Sequence, residues 1–186
     1  MSFTGSGANP SHADFVYYQY QSIRVSMKEE IQRTRKVEAP GDPIGFRILL
    51  VEDNADHAFV ALTVARQVLG ECIELIHAQN ADEAVELIGH FTSEDRPDLF
   101  MVDLRLPDNG GFSVISAVKG STACENVPLF VITSSGYDRD IAECYELGAS
   151  AVLCKPLSRA IFREEIARVG LIPGSAGKAL YLTVRQ

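Results

Sequence analysis

The stretch Leu99-Phe100-Met101-Val102-Asp103-Leu104-Arg105-Leu106-Pro107 decides the fold of this chain. Four apolar residues run without interruption into Asp103, and a proline follows four residues later. A short unbroken apolar run is typical of a strand that is buried on both faces. A carboxylate at the carboxyl end of such a strand lies at the edge where open α/β sheets bind ligands. We therefore expect Asp103 to be the centre of a functional site.

Strand-like and helix-like segments alternate on both sides of this stretch. Apolar runs predict five strands, at 47–51, 72–76, 99–103, 128–133 and 150–154. Helical periodicity predicts helices between and after them, at 55–69, 81–91, 112–119, 138–147 and 157–169. In the last helix, Ile161, Ile166 and Val169 are expected to face the core. The alternation predicts an α/β protein with a doubly wound parallel sheet in the order 2-1-3-4-5.

Three segments organise the chain. Residues 1–45 form an N-terminal extension, in which apolar residues at helical spacing predict an amphipathic helix at about 11–38, followed by a linker rich in Pro and Gly. Residues 46–170 complete the α/β domain, and residues 171–186 form a tail. The helix needs a surface on which to bury its apolar face. Docking on its own domain and contact with a second copy of the chain, as a homodimer, both remain open.

Composition excludes several classes of protein. The net charge of −8 argues against a nucleic-acid-binding face, because phosphate contacts need clustered Lys and Arg. No apolar run is long enough to span a membrane, and the N-terminus does not resemble a signal peptide. The four cysteines lack metal-binding spacing and are expected to be small buried residues in a reducing compartment. A cytoplasmic protein that contacts neither nucleic acid nor membrane is predicted.

Polar residues follow four of the predicted strands: Glu52 and Asp53, Asp103, Thr133, and Lys155. The carboxyl ends of parallel strands share one edge, so these side chains are expected to converge. Three nearby carboxylates repel one another and need a cation. Oxygen ligands, with no His or Cys available, suit Mg²⁺ or Mn²⁺. With an ammonium and a hydroxyl beside them, they predict phosphoryl transfer to a carboxylate nucleophile.

The same residues resemble the receiver domain of two-component response regulators. The matching segments are ILLVEDN (48–54), MVDLRLPDNGG (101–111), PLFVITSS (128–135) and GASAVLCKP (148–156). The resemblance covers residues 46–170 and implies a flavodoxin-like fold. It also implies that the chain is not an enzyme with turnover, but a stand-alone switch that is phosphorylated by a sensor histidine kinase or phosphotransfer protein and then contacts a downstream protein target.

The resemblance also implies roles for individual residues. Asp103 would be the phosphoacceptor, Thr133 the switch hydroxyl, and Lys155 the salt-bridge partner of the phosphoryl group. The ligands of Mg²⁺ would be Glu52, acting through water, together with Asp53, Asp103 and the backbone carbonyl of Arg105. One departure is Val152, which occupies the place of the usual aromatic switch residue on the fifth strand. Coupling of an aromatic rotamer to Thr133 is therefore not expected, and the output surface stays open.

Two other functions remain as alternatives. A pseudo-receiver binds partners without being phosphorylated. A phosphatase of the haloacid-dehalogenase type also uses an Asp nucleophile at a strand end, but needs a second acid two residues later, where this chain has Arg105. The histidines are expected to be structural or exposed. For His57, which comes just after the acidic residues Glu52 and Asp53, a position facing these acids is left open as an alternative.

Overall fold

The computed structural model describes residues 46–70, 73–134 and 136–171. The predicted N-terminal extension of residues 1–45, with its helix and linker, and nearly all of the predicted tail lie outside the described residues. Among the described residues, no helix combines the length and the apolar character needed to cross a membrane.

Five strands and five helices alternate along the described chain. The strands are β1 (Phe46–Val51), β2 (Ile73–Ala78), β3 (Leu99–Asp103), β4 (Leu129–Thr133) and β5 (Ala151–Cys154). The helices are α1 (Ala55–Leu69), α2 (Ala81–His90), α3 (Gly110–Gly120), α4 (Asp138–Glu146) and α5 (Arg159–Arg168), and one 3₁₀ turn, Pro107–Asn109, precedes α3. The number, type and order of the strands and helices predicted within residues 46–170 are thus confirmed.

The strands form one parallel sheet in the order β2-β1-β3-β4-β5. The predicted order is confirmed, and β1 and β3 are neighbours, with Val51 opposite Val102. Asp103 lies opposite Ile132, and Thr133 lies opposite Cys154. This register brings the carboxyl ends of β1, β3, β4 and β5 to one edge of the sheet.

Helices cover both faces of the sheet. α1 packs against α5 on one face, and α2 packs against α3 on the other. The α1–α5 face buries side chains that alternate along the strands, in keeping with the two-residue repeat of a strand. These are Ile48 and Leu50, Leu99 and Met101, Phe130 and Ile132, and Ala151 and Leu153. The rings of Phe130 and Phe162 meet edge to face there, with centroids 5.8 Å apart.

The last helix corrects one prediction about the core. Ile161 was expected to face inward but is 52% exposed, whereas Phe162 and Ile166 are fully buried. Ser158 caps the helix, which therefore begins at Arg159, and its inner face runs through residues four apart. Ile161 precedes the inner position by one residue and so points about 100° away from the core.

The cysteine prediction is only partly confirmed. Cys124 and Cys144 are buried, but Cys154, the last residue of β5, is exposed. All three are free thiols, and the fourth predicted buried cysteine, Cys72, lies outside the described residues. A strand end at the edge of a sheet lacks the cover that helices give to the middle of the strand, which explains the exposure of Cys154.

Candidate functional site

Side chains at three strand ends converge on the face of the sheet that α1 and α5 cover. Glu52 is two residues beyond Leu50, Asp103 two beyond Met101, and Lys155 two beyond Leu153. Alternation along a strand therefore directs all three to the same face. Glu52 and Asp103 are 2% and 4% exposed, so this edge holds two buried carboxylates.

The ammonium of Lys155 bridges these carboxylates. Its Nζ donates hydrogen bonds of 2.8 Å to Oε2 of Glu52 and 2.8 Å to Oδ2 of Asp103. Burial lowers the pKa of Lys155, but the hydrogen bonds and the charges of Asp103 and Glu52 outweigh this effect and leave the pKa above its ordinary value. The ammonium is thus held in its charged form between two acids that would otherwise repel each other.

Backbone amides hold the other oxygens of both carboxylates. The N–H of Arg105 donates to Oδ1 of Asp103 at 2.9 Å, and the N–H of Asn54 donates to Oε1 of Glu52 at 3.3 Å. Each bond links a residue to the amide two positions later, which closes a local turn at the strand end. The two acids are therefore fixed by their own loops as well as by Lys155.

The loop after Asp103 is folded tightly against the start of α3. Asp108 and Asn109 adopt left-handed backbone angles with φ of 55° and 57°, which Asp and Asn tolerate better than most residues. A Cβ at Gly111 would lie 2.6 Å from the carbonyl oxygen of Leu104 and 2.8 Å from that of Asp103. Glycine at position 111 thus permits the close approach that shapes this loop.

His57 also belongs to this site, so the alternative left open for it is the one observed, and the expectation that no histidine is available for the cation is corrected. Its Nδ1 lies 3.2 Å from Oε1 of Glu52 and 3.1 Å from Nζ of Lys155. Asn54 caps α1 by accepting hydrogen bonds from the N–H groups of Asp56 and His57. The spacing of five residues after Glu52 was the available signal, because it places His57 in the first turn of the helix that begins at this edge.

A second histidine, His77 of β2, supports the site from the neighbouring strand. Its Nε2 lies 2.9 Å from the backbone carbonyl oxygen of Glu52, an acceptor, so this nitrogen donates. Sequence reasoning missed this contact. Pairing of β1 with β2 was the only available signal, since His77 lies opposite Leu50, two residues before Glu52.

The remaining predicted site residues are placed differently. Asp53 is exposed and is not part of the cluster of ligand atoms that Glu52, His57 and Asp103 form. Thr133 is fully buried at the end of β4, and its carbonyl oxygen accepts a 2.8 Å hydrogen bond from the N–H of Lys155. The side chain of Arg105 forms a 2.8 Å ion pair with Asp140 in the first turn of α4. The structure thus brings Glu52, Asp103 and Lys155 together directly and places Thr133 at the adjoining strand end.

An aromatic side chain lies beside β5, although position 152 is a valine. The backbone N–H of Val152 donates a 3.3 Å hydrogen bond to the hydroxyl of Tyr145 from α4. Tyr145 is 49% exposed. The aromatic group next to this strand thus comes from a helix and is anchored to the backbone.

The donor atoms of this site fit a divalent cation. Potential ligand atoms of Glu52, His57 and Asp103 all lie within 4.8 Å of one another. Two buried carboxylates already attract a cation, the ammonium of Lys155. Carboxylate oxygens are the ligands preferred by Mg²⁺, and the imidazole nitrogen is a ligand for transition metals. Chemically, the arrangement offers a nucleophilic carboxylate beside positive charge, as phosphoryl transfer requires.

Comparison with known proteins gives one consistent result. Residues 48–167 match the family model of the response regulator receiver domain. The probable methanogenesis regulatory protein FilR2 of Methanothrix harundinacea is 33% identical over 115 residues, which cover 61% of this chain and 74% of that protein. The response regulator Rcp1 of Synechocystis is 30% identical over 112 residues, covering 58% of this chain and 75% of Rcp1. Against the phosphate regulon transcriptional regulatory protein PhoB of Escherichia coli, the chain spans about half of the relative's length (49%).

Solved structures agree with the sequence relatives. The bacteriophytochrome response regulator AtBRR is 30% identical and superposes with a TM-score of 0.59, over 71% of this chain and 97% of AtBRR. The receiver domain of a sensor histidine kinase of Pseudomonas aeruginosa, with a magnesium ion coordinated in its active site cleft, is 27% identical and has a TM-score of 0.56, over 67% of this chain and 96% of that one. Since the family model spans well over half of its length, this chain belongs to the response regulator receiver family of two-component signalling.

Proposed function

We propose that this receiver accepts a phosphoryl group on Asp103 from a histidine kinase or a phosphotransfer protein, and that the phosphorylated chain signals by contact with another protein. The observation that carries the proposal is the 2.8 Å contact of the Lys155 ammonium with Oδ2 of Asp103. It places a positive charge beside the carboxylate that is to carry the phosphoryl group. Charge stabilisation and positioning supply most of the catalysis of phosphoryl transfer.

The proposed step is a displacement at phosphorus. A carboxylate oxygen of Asp103 forms the new bond to phosphorus while the bond between phosphorus and the donor's histidine nitrogen breaks. The electron pair of that bond stays on the donor imidazole, which takes up a proton. Asp103 is suited to this role because its carboxylate accepts hydrogen bonds from the Lys155 ammonium and the Arg105 N–H.

The proposed cation is Mg²⁺, with Mn²⁺ as the alternative. Glu52, Asp53, Asp103 and the backbone carbonyl of Arg105 would hold it, with Glu52 acting through water. A bound cation supplies positive charge that offsets the charge of the phosphoryl oxygens. The buried carboxylates of Glu52 and Asp103 support this assignment, and Asp53 follows Glu52 directly at an exposed position.

The protein's own residues respond to the new charge. A phosphoryl group adds nearly two negative charges and three acceptor oxygens. Lys155 is in place to pair with it, and we assign the hydroxyl of Thr133 to donate a hydrogen bond to it. The response would then pass to β4 and β5, whose ends these residues form. We also propose that the protein is cytoplasmic and that it forms a homodimer through residues 1–45. Measuring the mass of the full chain in solution, with and without the phosphoryl mimic beryllofluoride, tests the homodimer.

Phosphorylation of the purified chain tests the assignment of Asp103. The full chain is treated with acetyl phosphate and Mg²⁺, and phosphoryl uptake is measured by intact mass spectrometry. Wild type is expected to gain one phosphoryl group that hydroxylamine removes, as an acyl phosphate should. Asp103→Asn is expected to gain none. Asp108→Asn, an exposed acid in the same loop, is the matched control and is expected to behave like wild type.

Two results would contradict the proposal. Undiminished uptake by Asp103→Asn would place the phosphoryl group elsewhere. A wild-type chain that stays unmodified under all conditions, while still binding its partner, would make it a pseudo-receiver.

A further inference from the structure

We propose that the Nδ1 atom of His57 is a ligand of the cation site, and that it gives the site a preference for first-row transition-metal cations such as Mn²⁺ over Mg²⁺. This inference rests on the proposed function only in sharing its site. It concerns a residue that the assignment to Glu52, Asp53, Asp103 and Arg105 leaves out.

The first support is convergence. Oε2 of Glu52, Oδ2 of Asp103 and Nδ1 of His57 lie 2.8, 2.8 and 3.1 Å from a single atom, the Nζ of Lys155. Three potential ligands from two strand ends and one helix therefore already surround a cation. A divalent ion that enters this cluster competes with the ammonium for the same electron pairs.

The second support is the position of the His57 ring. Asn54 accepts hydrogen bonds from the N–H groups of Asp56 and His57, which sets the first turn of α1. The ring then places Nδ1 against the buried carboxylate of Glu52, although the side chain as a whole is 53% exposed. When Nδ1 accepts from the Lys155 ammonium, its lone pair faces the cluster. Such a nitrogen is ready to bind a metal without reorientation of the ring.

The third support is the chemistry of the donor set. Mg²⁺ favours oxygen ligands in an octahedral arrangement, so an imidazole adds little to its binding. Mn²⁺ and the later divalent metals bind imidazole as well as carboxylate, with affinity generally rising along the series. One nitrogen among carboxylates therefore shifts the balance between these cations without abolishing the binding of either.

Metal binding by the full chain tests the inference. Dissociation constants for Mn²⁺ and Mg²⁺ are measured by titration calorimetry, and pulsed electron paramagnetic resonance of bound Mn²⁺ detects coupling to ligand ¹⁴N. Wild type is expected to show histidine nitrogen coupling. His57→Gln is expected to lose it and to bind Mn²⁺ about tenfold more weakly, since even outer-shell partners of metal ligands are worth roughly 10- to 100-fold in affinity. Mg²⁺ affinity is expected to change far less.

Two further variants sharpen the result. His90→Gln removes an exposed histidine from the end of α2 and is expected to leave both affinities and the nitrogen coupling unchanged. His57→Asp replaces the nitrogen with a carboxylate oxygen and is expected to reverse the preference in favour of Mg²⁺. Since residue 57 is exposed, neither substitution at this position removes a core contact.

The outcomes separate this inference from the proposed function. Wild-type chain without ¹⁴N coupling, or His57→Gln with unchanged Mn²⁺ affinity, overturns the role of His57. If Asp103 is nevertheless phosphorylated with Mg²⁺ in the same preparations, the proposed function stands. Conversely, nitrogen coupling that disappears in His57→Gln, in a chain that takes up no phosphoryl group, supports the metal ligand and refutes the phosphoacceptor.

Discussion

Replacing Gly111 with alanine tests how tightly the loop after Asp103 is built. The added Cβ would lie 2.6 Å from the Leu104 carbonyl oxygen, 2.7 Å from the Leu104 Cα and 2.8 Å from the Asp103 carbonyl oxygen. Ordinary van der Waals contact begins at about 3.4 Å. All three neighbours are backbone atoms, so no side-chain rotation relieves the overlap. Either the loop or the start of α3 must move.

The size of the effect follows from two opposing contributions. Overpacking at a well-packed position costs about 1–3 kcal/mol, and rigid backbone neighbours favour the upper end. Alanine in a helix recovers about 0.5–1 kcal/mol relative to glycine. We therefore expect Gly111→Ala to lower the free energy of unfolding by about 2 kcal/mol. Gly89→Ala in α2, where a Cβ meets nothing within 4 Å, is the matched control and is expected to raise it by about 0.5–1 kcal/mol.

Urea unfolding followed by circular dichroism measures both variants, since the chain has no Trp for fluorescence. Phosphoryl uptake from acetyl phosphate is measured in parallel. The carbonyls that Gly111→Ala displaces belong to Asp103 and Leu104. Phosphoryl uptake in the absence of urea is therefore expected to be slower than in wild type. A Gly111→Ala chain that unfolds at the same urea concentration as wild type, or at a higher one, would refute the reasoning from this close approach.

Three other predictions follow from contacts at or near the site. The pKa of Lys155 is raised above 10.5, so its ion pairs stabilise the fold fully below about pH 10.5, and this stabilisation is lost as pH rises through the folded-state pKa. The difference in the free energy of unfolding by urea between wild type and Lys155→Met should therefore shrink in that pH range. A difference that stays constant with pH would contradict this. Asn54→Ala is expected to lower the free energy of unfolding by about 0.5–2 kcal/mol in the same assay, because it removes the cap of α1. Asn54→Asp should retain most of the stability, and equal losses in the two variants would exclude a capping role. Burial and nearby acids raise the pKa of the Cys144 thiol to about 11, so iodoacetamide at mildly alkaline pH should label the exposed Cys154 before Cys144, as peptide mapping would show; faster labelling of Cys144 would contradict its burial.

The sheet and its functional edge were predictable because their signals are local and repeated. Each buried strand is a continuous apolar run, and β3 ends at Asp103 as expected. Alternation from Leu50, Met101 and Leu153 explains why the next polar residue on each strand points to the same face. The convergence of Glu52, Asp103 and Lys155 was therefore within reach of sequence reasoning.

The finer geometry was not predictable because it depends on helix phase and on contacts between distant segments. The sequence groups Asp53 with Glu52, and only the structure shows that Asp53 is exposed and outside the cluster of Glu52, His57 and Asp103. The inner face of α5 was misjudged at Ile161 because residues five apart on a helix point about 140° away from each other, so Ile161 does not share the face of Ile166. The Arg105–Asp140 ion pair joins residues that are 35 positions apart, and no local sequence pattern predicts it.

The ammonium held between Glu52 and Asp103 has a consequence for how this protein is made. In proteins whose structural metal neutralises the binding site, loading and folding are a single event, and a chelator unfolds the chain. Here the counterion is covalently part of the polypeptide and directly follows β5, which comes last in chain order among the strands that the structure describes. The acidic edge is thus completed by the chain itself, so its assembly in the cell does not wait on the supply of any ion.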